Sequence, residues 1–138
     1  MSTIKVDRIE PQDGLQTNAM GGIVQVVRVV YTGQASTTST SYVSTGLQAS
    51  ITPRSASNKI MVSFEHSMYI VPSTLFAYHG IRIKRGTNVI YTPTTDQYGP
   101  FDFGVYSANS YSGRSRVEYL DSPGVSGSLI TYSTEMAL

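Results

Sequence analysis

Hydrolysis by a nucleophile needs a serine or threonine with a base beside it and a third group that orients the base. Hydroxyls abound here, since Ser and Thr make up about a quarter of the 138 residues, but His66 and His79 are the only histidines. Neither sits in a recognisable nucleophile turn. His66 falls on the apolar side of an alternating segment, so a packed, hydrogen-bonded imidazole is expected. His79, beside Gly80, reads as a loop residue or the start of a strand. Glycoside cleavage needs two carboxylates at a set separation, and five Asp and four Glu are present. Glu65 and Glu118 occupy outward strand positions, and Asp13 and Asp121 occupy turns, which places all four in solvent. Asp96 and Asp102 are loop carboxylates suited to calcium, yet the dense Asp/Asn/Gly spacing of a calcium loop is missing. Gly21-Gly22 precedes a strand rather than a helix, so it is a hinge and not a phosphate cradle. No catalytic residue, metal or cofactor is expected.

Recognition chemistry is better represented. Tyr91, Tyr98, Phe101, Phe103, Tyr106, Tyr111 and Tyr119 are interspersed with Gly, Ser, Asn and Thr. Tyrosine offers a large contact area, few torsions to freeze and a hydroxyl, a combination suited to stacking on sugars. Tyr98, Phe101, Phe103, Tyr106 and Tyr111 are the candidate receptor contacts. The competing expectation is that such aromatics fill a core or a subunit interface.

The elements that must position these groups are strands. Residues 59–70 alternate, with Ile60, Val62, Phe64, His66, Met68 and Ile70 on one face and Met61, Ser63, Glu65, Ser67 and Tyr69 on the other. Residues 42–52 form a second strand, ending at Pro53. Ile81 and Ile83 oppose Arg82 and Lys84, then a turn at residues 85–88 leads back through Val89 to Tyr91 as a hairpin. Residues 117–120 and 129–136 are expected to pair across the turn Asp121-Ser122-Pro123-Gly124. The strongest strand signal is residues 23–31, β-branched and apolar on both sides of the pleat. Ile23, Val24, Val26, Val27, Arg28 and Val29 are therefore expected at a subunit interface, because both faces need cover and a lone buried guanidinium needs a partner. Residues 36–41 form a polar loop. No window carries helical apolar spacing, and no internal repeat is visible. An all-β antiparallel sandwich, jelly-roll-like, with an extended N-terminal arm follows. The arm is residues 1–22, with Ile4, Val6, Ile9 and Pro11 as its docking points, and the sandwich domain is residues 23–138.

Composition limits the partners. Charged residues are 14% of the chain and the net charge is +1, which gives no basic stripe for nucleic acid and no cationic face for anionic lipid. Cysteine is absent, so stability rests on burial, ladders and association. The first twenty residues lack an apolar stretch of signal-peptide type, and no run approaches a membrane span. The protein is expected to be made in the cytoplasm; if it acts outside a cell it leaves by a route other than a signal peptide, and lysis with a virus particle is one.

Four stretches carry a likeness: residues 2–11 (STIKVDRIEP), residues 21–27 (GGIVQVV), the Ser/Thr run leading to Ser50-Ile51-Thr52-Pro53 and on to residues 57–62 (SNKIMV), and Leu120-Asp121-Ser122-Pro123. Together they resemble short fibre and virion-associated structural proteins of bacteriophages, common in phages of cyanobacteria and other aquatic bacteria. The resemblance implies an arm docked on other virion proteins, a homotrimeric body and an exposed end that meets the host surface, including its glycans. Proteins of this kind often continue with further strands after the Asp-Ser-Pro turn, so a neighbour's strand is expected to complete the sandwich edge here. Two other functions fit the same residues. One is a capsid decoration protein that clamps lattice contacts; the other is a carbohydrate-binding or polysaccharide-degrading module relying on Asp96, Asp102 or Glu118.

Overall fold

The computed structural model describes residues 25–71, 76–93, 95–96, 99–100, 103–106 and 109–138. Among them there is no helix. The strands are β1 (Val43–Ile51), β2 (Ile60–Ile70), β3 (Phe76–Arg85), β4 (Asn88–Tyr91), β5 (Thr95–Asp96), β6 (Gly99–Pro100), β7 (Phe103–Tyr106), β8 (Tyr111–Asp121) and β9 (Ile130–Ala137). The larger sheet runs in the order β1-β9-β3-β4, with β7 joined to the start of β3. A second sheet consists of β2 and β8, and β5 and β6 make a short ladder of their own. Every ladder is antiparallel.

The two main sheets face each other across one core. Val62 and Phe64 from β2 and Val117 from β8 meet Ile81 and Ile83 from β3 and Ile130 and Tyr132 from β9. The chain is an all-β antiparallel sandwich. Alternation along each strand produces it. In β2, Val62, Phe64 and Ile70 are buried while Met61 and Tyr69 stand in solvent, as expected for a strand with one wet face. In β3, Ile81 and Ile83 are buried, and Arg82 and Lys84 point outward to Glu135 of β9. Gly86, with φ of 57°, makes the tight turn from β3 to β4, where a side chain would be strained.

Two expectations about strands are corrected. Residues 25–31 form no ladder and are exposed, although their sequence is the most strand-like in the chain. A β-rich sequence supplies the side chains for a strand but not the neighbouring backbone that defines one. Nor do β8 and β9 pair with each other. β8 pairs with β2 along its whole length, from Ile60↔Asp121 to Ile70↔Tyr111, while β9 lies between β1 and β3. The connection after Asp121 crosses from one sheet to the other, which a sandwich needs and a hairpin would prevent.

Candidate functional site

The sandwich is closed tightly at one end. Asp121, the last residue of β8, is buried, and both of its oxygens accept hydrogen bonds from Nη1 of Arg85 at 2.9 Å. The Tyr132 hydroxyl donates to the same carboxylate at 2.6 Å. Asp121 belongs to the smaller sheet, and Arg85 and Tyr132 belong to the larger one, so this trio pins the sheets together. Burial pushes the Tyr132 phenol well above its usual range, and the bond to Asp121 adds to the effect, so it stays a donor. The expectation that Asp121 is a solvated turn residue is wrong. Sequence shows its position at a strand end but not the cation and phenol that fold onto it.

At the other end the packing among the described residues is thinner. A small cluster of Ile70 and Ala77 is flanked by Met68 and Leu138, and both histidines lie nearby. Of the two expectations for His79, a loop or the start of a strand, the second is nearer: it is buried in the first half of β3, opposite Phe103 of β7. His66 stacks on Phe64, with ring centroids 6.4 Å apart, and its Nε2 has no hydrogen-bond partner among the described residues. It is packed as expected, but that nitrogen is not hydrogen-bonded. Burial lowers the proton affinity of His66, and the charge of His79 lowers it further. A pH effect follows. The stability that a neutral His66 contributes is complete above its unfolded value of 6.5 and is lost as pH falls from there toward the lower folded value. For Glu135, burial acts to raise the carboxyl, but hydrogen bonds from Arg82 and Lys84 outweigh it and hold it below its ordinary 4.5. Its contribution therefore fails only at lower pH. Urea midpoints are expected to drop between pH 7 and pH 5, and His66→Phe to flatten that drop; an unchanged drop in the variant would assign it elsewhere.

Between these ends the sandwich is open along one side. Two strands cannot cover four: at ~4.8 Å per strand, roughly 10 Å of the larger sheet has no facing strand. The opening lies beside β1, whose inward Leu47 and Ile51 pack on the core but are only half-buried, and along the edge of β2 that has no ladder partner among the described residues. A groove of about 1860 Å³ runs there, lined by β2 along its length, by the inner face of β1 and by residues 25–38. Segment 25–31 forms its far wall. Val26 and Val30 are 77% and 67% exposed, whereas Val27, Val29 and Tyr31 lie between 41% and 48%, so alternate residues lean toward and away from the body.

Tyr31 fixes this wall in place. Its ring lies over Gly33 and over Gly46, which has φ of 81° at an irregularity in β1. A Cβ at Gly46 would meet the Tyr31 hydroxyl at 2.6 Å, so the aromatic needs glycine there. Beside it the hydroxyls of Thr45 and Thr134 join β1 to β9 at 2.6 Å. Nothing in the sequence pattern singles out Gly46 or this threonine pair.

The other expected site residues divide as follows. Ile4, Val6, Ile9, Pro11, Ile23, Val24, Tyr98 and Phe101 lie outside the described residues, as does Asp102. Val26, Val27, Arg28 and Val29 are together on the exposed segment. Phe103 and Tyr106 belong to β7, and Tyr111 opens β8 on the surface. Tyr91 and Tyr119 pack on the core, with ring centroids 6.2 Å apart, so part of the aromatic set is structural. Glu65 and Glu118 are exposed, bridged to Arg114 and Arg116. Among the described residues no group of three or more His, Cys, Asp or Glu side chains could hold a metal. The chain matches no protein-family model, no curated protein and no solved structure.

Proposed function

We propose that this chain is a structural component of a bacteriophage particle, a tail, neck or head fibre that works as a homotrimer and helps the particle attach to its host. The observation that carries this reading is the uncovered valine strip beside an open sandwich. Val26 and Val30 stand in solvent next to an apolar groove, and an apolar surface of this kind marks a place where another chain belongs. The arm, with Ile4, Val6, Ile9 and Pro11, docks on other virion proteins. Val27, Arg28 and Val29, with Ile23 and Val24 before them, meet neighbouring copies. Tyr98, Phe101, Phe103, Tyr106 and Tyr111 are the residues offered to a host surface glycan. Weak sites repeated around a trimer, and around a particle, bind through high effective concentration. The chain does no chemistry on its partners.

Deleting residues 2–19 tests this. The truncated protein is expected to stay folded and oligomeric while being absent from purified particles, as read by labelling intact virions. Normal incorporation would remove the role of the arm, and a stable monomer of the full chain at micromolar concentration would remove the trimer.

A further inference from the structure

The open side of the sandwich has the shape of a missing strand. Among the described residues β2 has a ladder partner on one side only, β8, so half of its backbone groups over eleven residues face the groove. A strand laid along it would span about 36 Å at ~3.3 Å per residue. One strand spacing of ~4.8 Å wide and one sheet spacing of ~10 Å deep, it would take up roughly 1,700 Å³. The groove, about 1860 Å³, has room for it and also reaches over outward residues of β2 such as Met61, Glu65 and Tyr69. The chain's own strand-like segment does not fill it, because Tyr31, seated on Gly33 and Gly46, holds residues 25–31 on the opposite wall.

The charges on the rim say what sort of strand belongs there. Arg28 stands on the wall segment, and Arg54 and Lys59 flank the start of β2; all three line the groove and make no ion pair among the described residues. The groove's one carboxylate on β2, Glu65, is bridged to Arg114. An incoming strand antiparallel to β2, the arrangement of every ladder among the described residues, ends beside Arg54 and Lys59.

We propose that this groove is a strand-acceptor site. It takes an extended segment donated by another polypeptide, apolar at alternate residues and acidic at its C-terminal end. The apolar residues cover Leu47, Ala49 and Ile51 of β1, the backbone completes the ladder on β2, and the acidic end meets Arg54 and Lys59. This goes beyond the virion reading and does not depend on it.

The probe is a ten-residue peptide alternating threonine and valine and ending in two aspartates, added to the full chain. It is expected to slow hydrogen exchange of the groove-facing β2 amides at least tenfold at saturation, and a version with proline at its centre is expected to have no effect. The double variant Arg54→Glu/Lys59→Glu changes only exposed side chains. It should weaken the aspartate peptide at least tenfold and favour a peptide ending in two lysines. Three results would overturn the proposal. They are no slowing by any peptide, equal binding of the aspartate and lysine peptides, and β2 amides already protected in the chain alone. Protection that Val27→Pro abolishes would mean the chain's own segment is the occupant, and protection that grows with protein concentration would mean a second copy is. Particle incorporation reads the virion reading separately, so either can fail alone.

Discussion

Asp121→Ala should remove about 3–5 kcal/mol of folding stability, the cost of leaving a buried ionic partner uncompensated. Among the described residues the carboxylate is the one group that Arg85 and Tyr132 share, and it joins the smaller sheet to the larger one. Its removal strands a guanidinium and a phenol together. Tyr132→Phe keeps the ion pair and loses one hydrogen bond to a charged acceptor, about 1.5–3 kcal/mol. Arg114→Ala breaks an exposed bridge to Glu65 and should cost no more than about 1 kcal/mol. Urea unfolding of the three variants checks the order. Equal losses for Asp121→Ala and Arg114→Ala would mean that the trio pins nothing. Alkaline pH offers an independent reading. The Tyr132 phenol is raised in the folded state, so its contribution is fully present below its unfolded value of 10.0 and fades as pH climbs above it.

Phe64→Ala is expected to cost about 3–5 kcal/mol, the range for deleting a buried aromatic without collapse of the space it leaves. Collapse is opposed here because the smaller sheet meets the larger one through few large side chains, Val62, Phe64 and Val117. Phe64 also carries the stacked ring of His66. Met61→Ala, three residues earlier and on the wet face, should stay within about 0.5 kcal/mol. A comparable loss at both positions would mean that the outer face of β2 is covered in solution, and sedimentation would then show the chain as an assembly.

What could be read from the sequence was what is local. The alternation of residues 59–70 assigned β2 and its two faces, because side-chain direction in a strand depends only on neighbouring residues. The hairpin through Gly86 was legible for the same reason, since the turn has its own chemistry. Pairing between distant strands was not. Nothing near residues 117–120 says that their partner is β2 rather than β9, and the choice depends on which sheet can bury Val117. Asp121 looks like a turn residue because its cation comes from thirty-six positions away. His79 beside Gly80 looks like a loop because glycine usually interrupts a strand, but there the backbone runs on through β3. The valines of residues 25–31 have the side chains of a strand but pair with no neighbouring backbone among the described residues.

The trio of Asp121, Arg85 and Tyr132 lies at the end where β2 begins and β8 finishes, whereas the histidines and the thin Ile70 and Ala77 cluster lie at the opposite end. The contacts among the described residues therefore have a mechanical polarity. A tensile load applied at the histidine end peels the two layers one rung at a time, as a zip opens. Applied at the aspartate end, the same load meets several bonds in parallel and must shear them together.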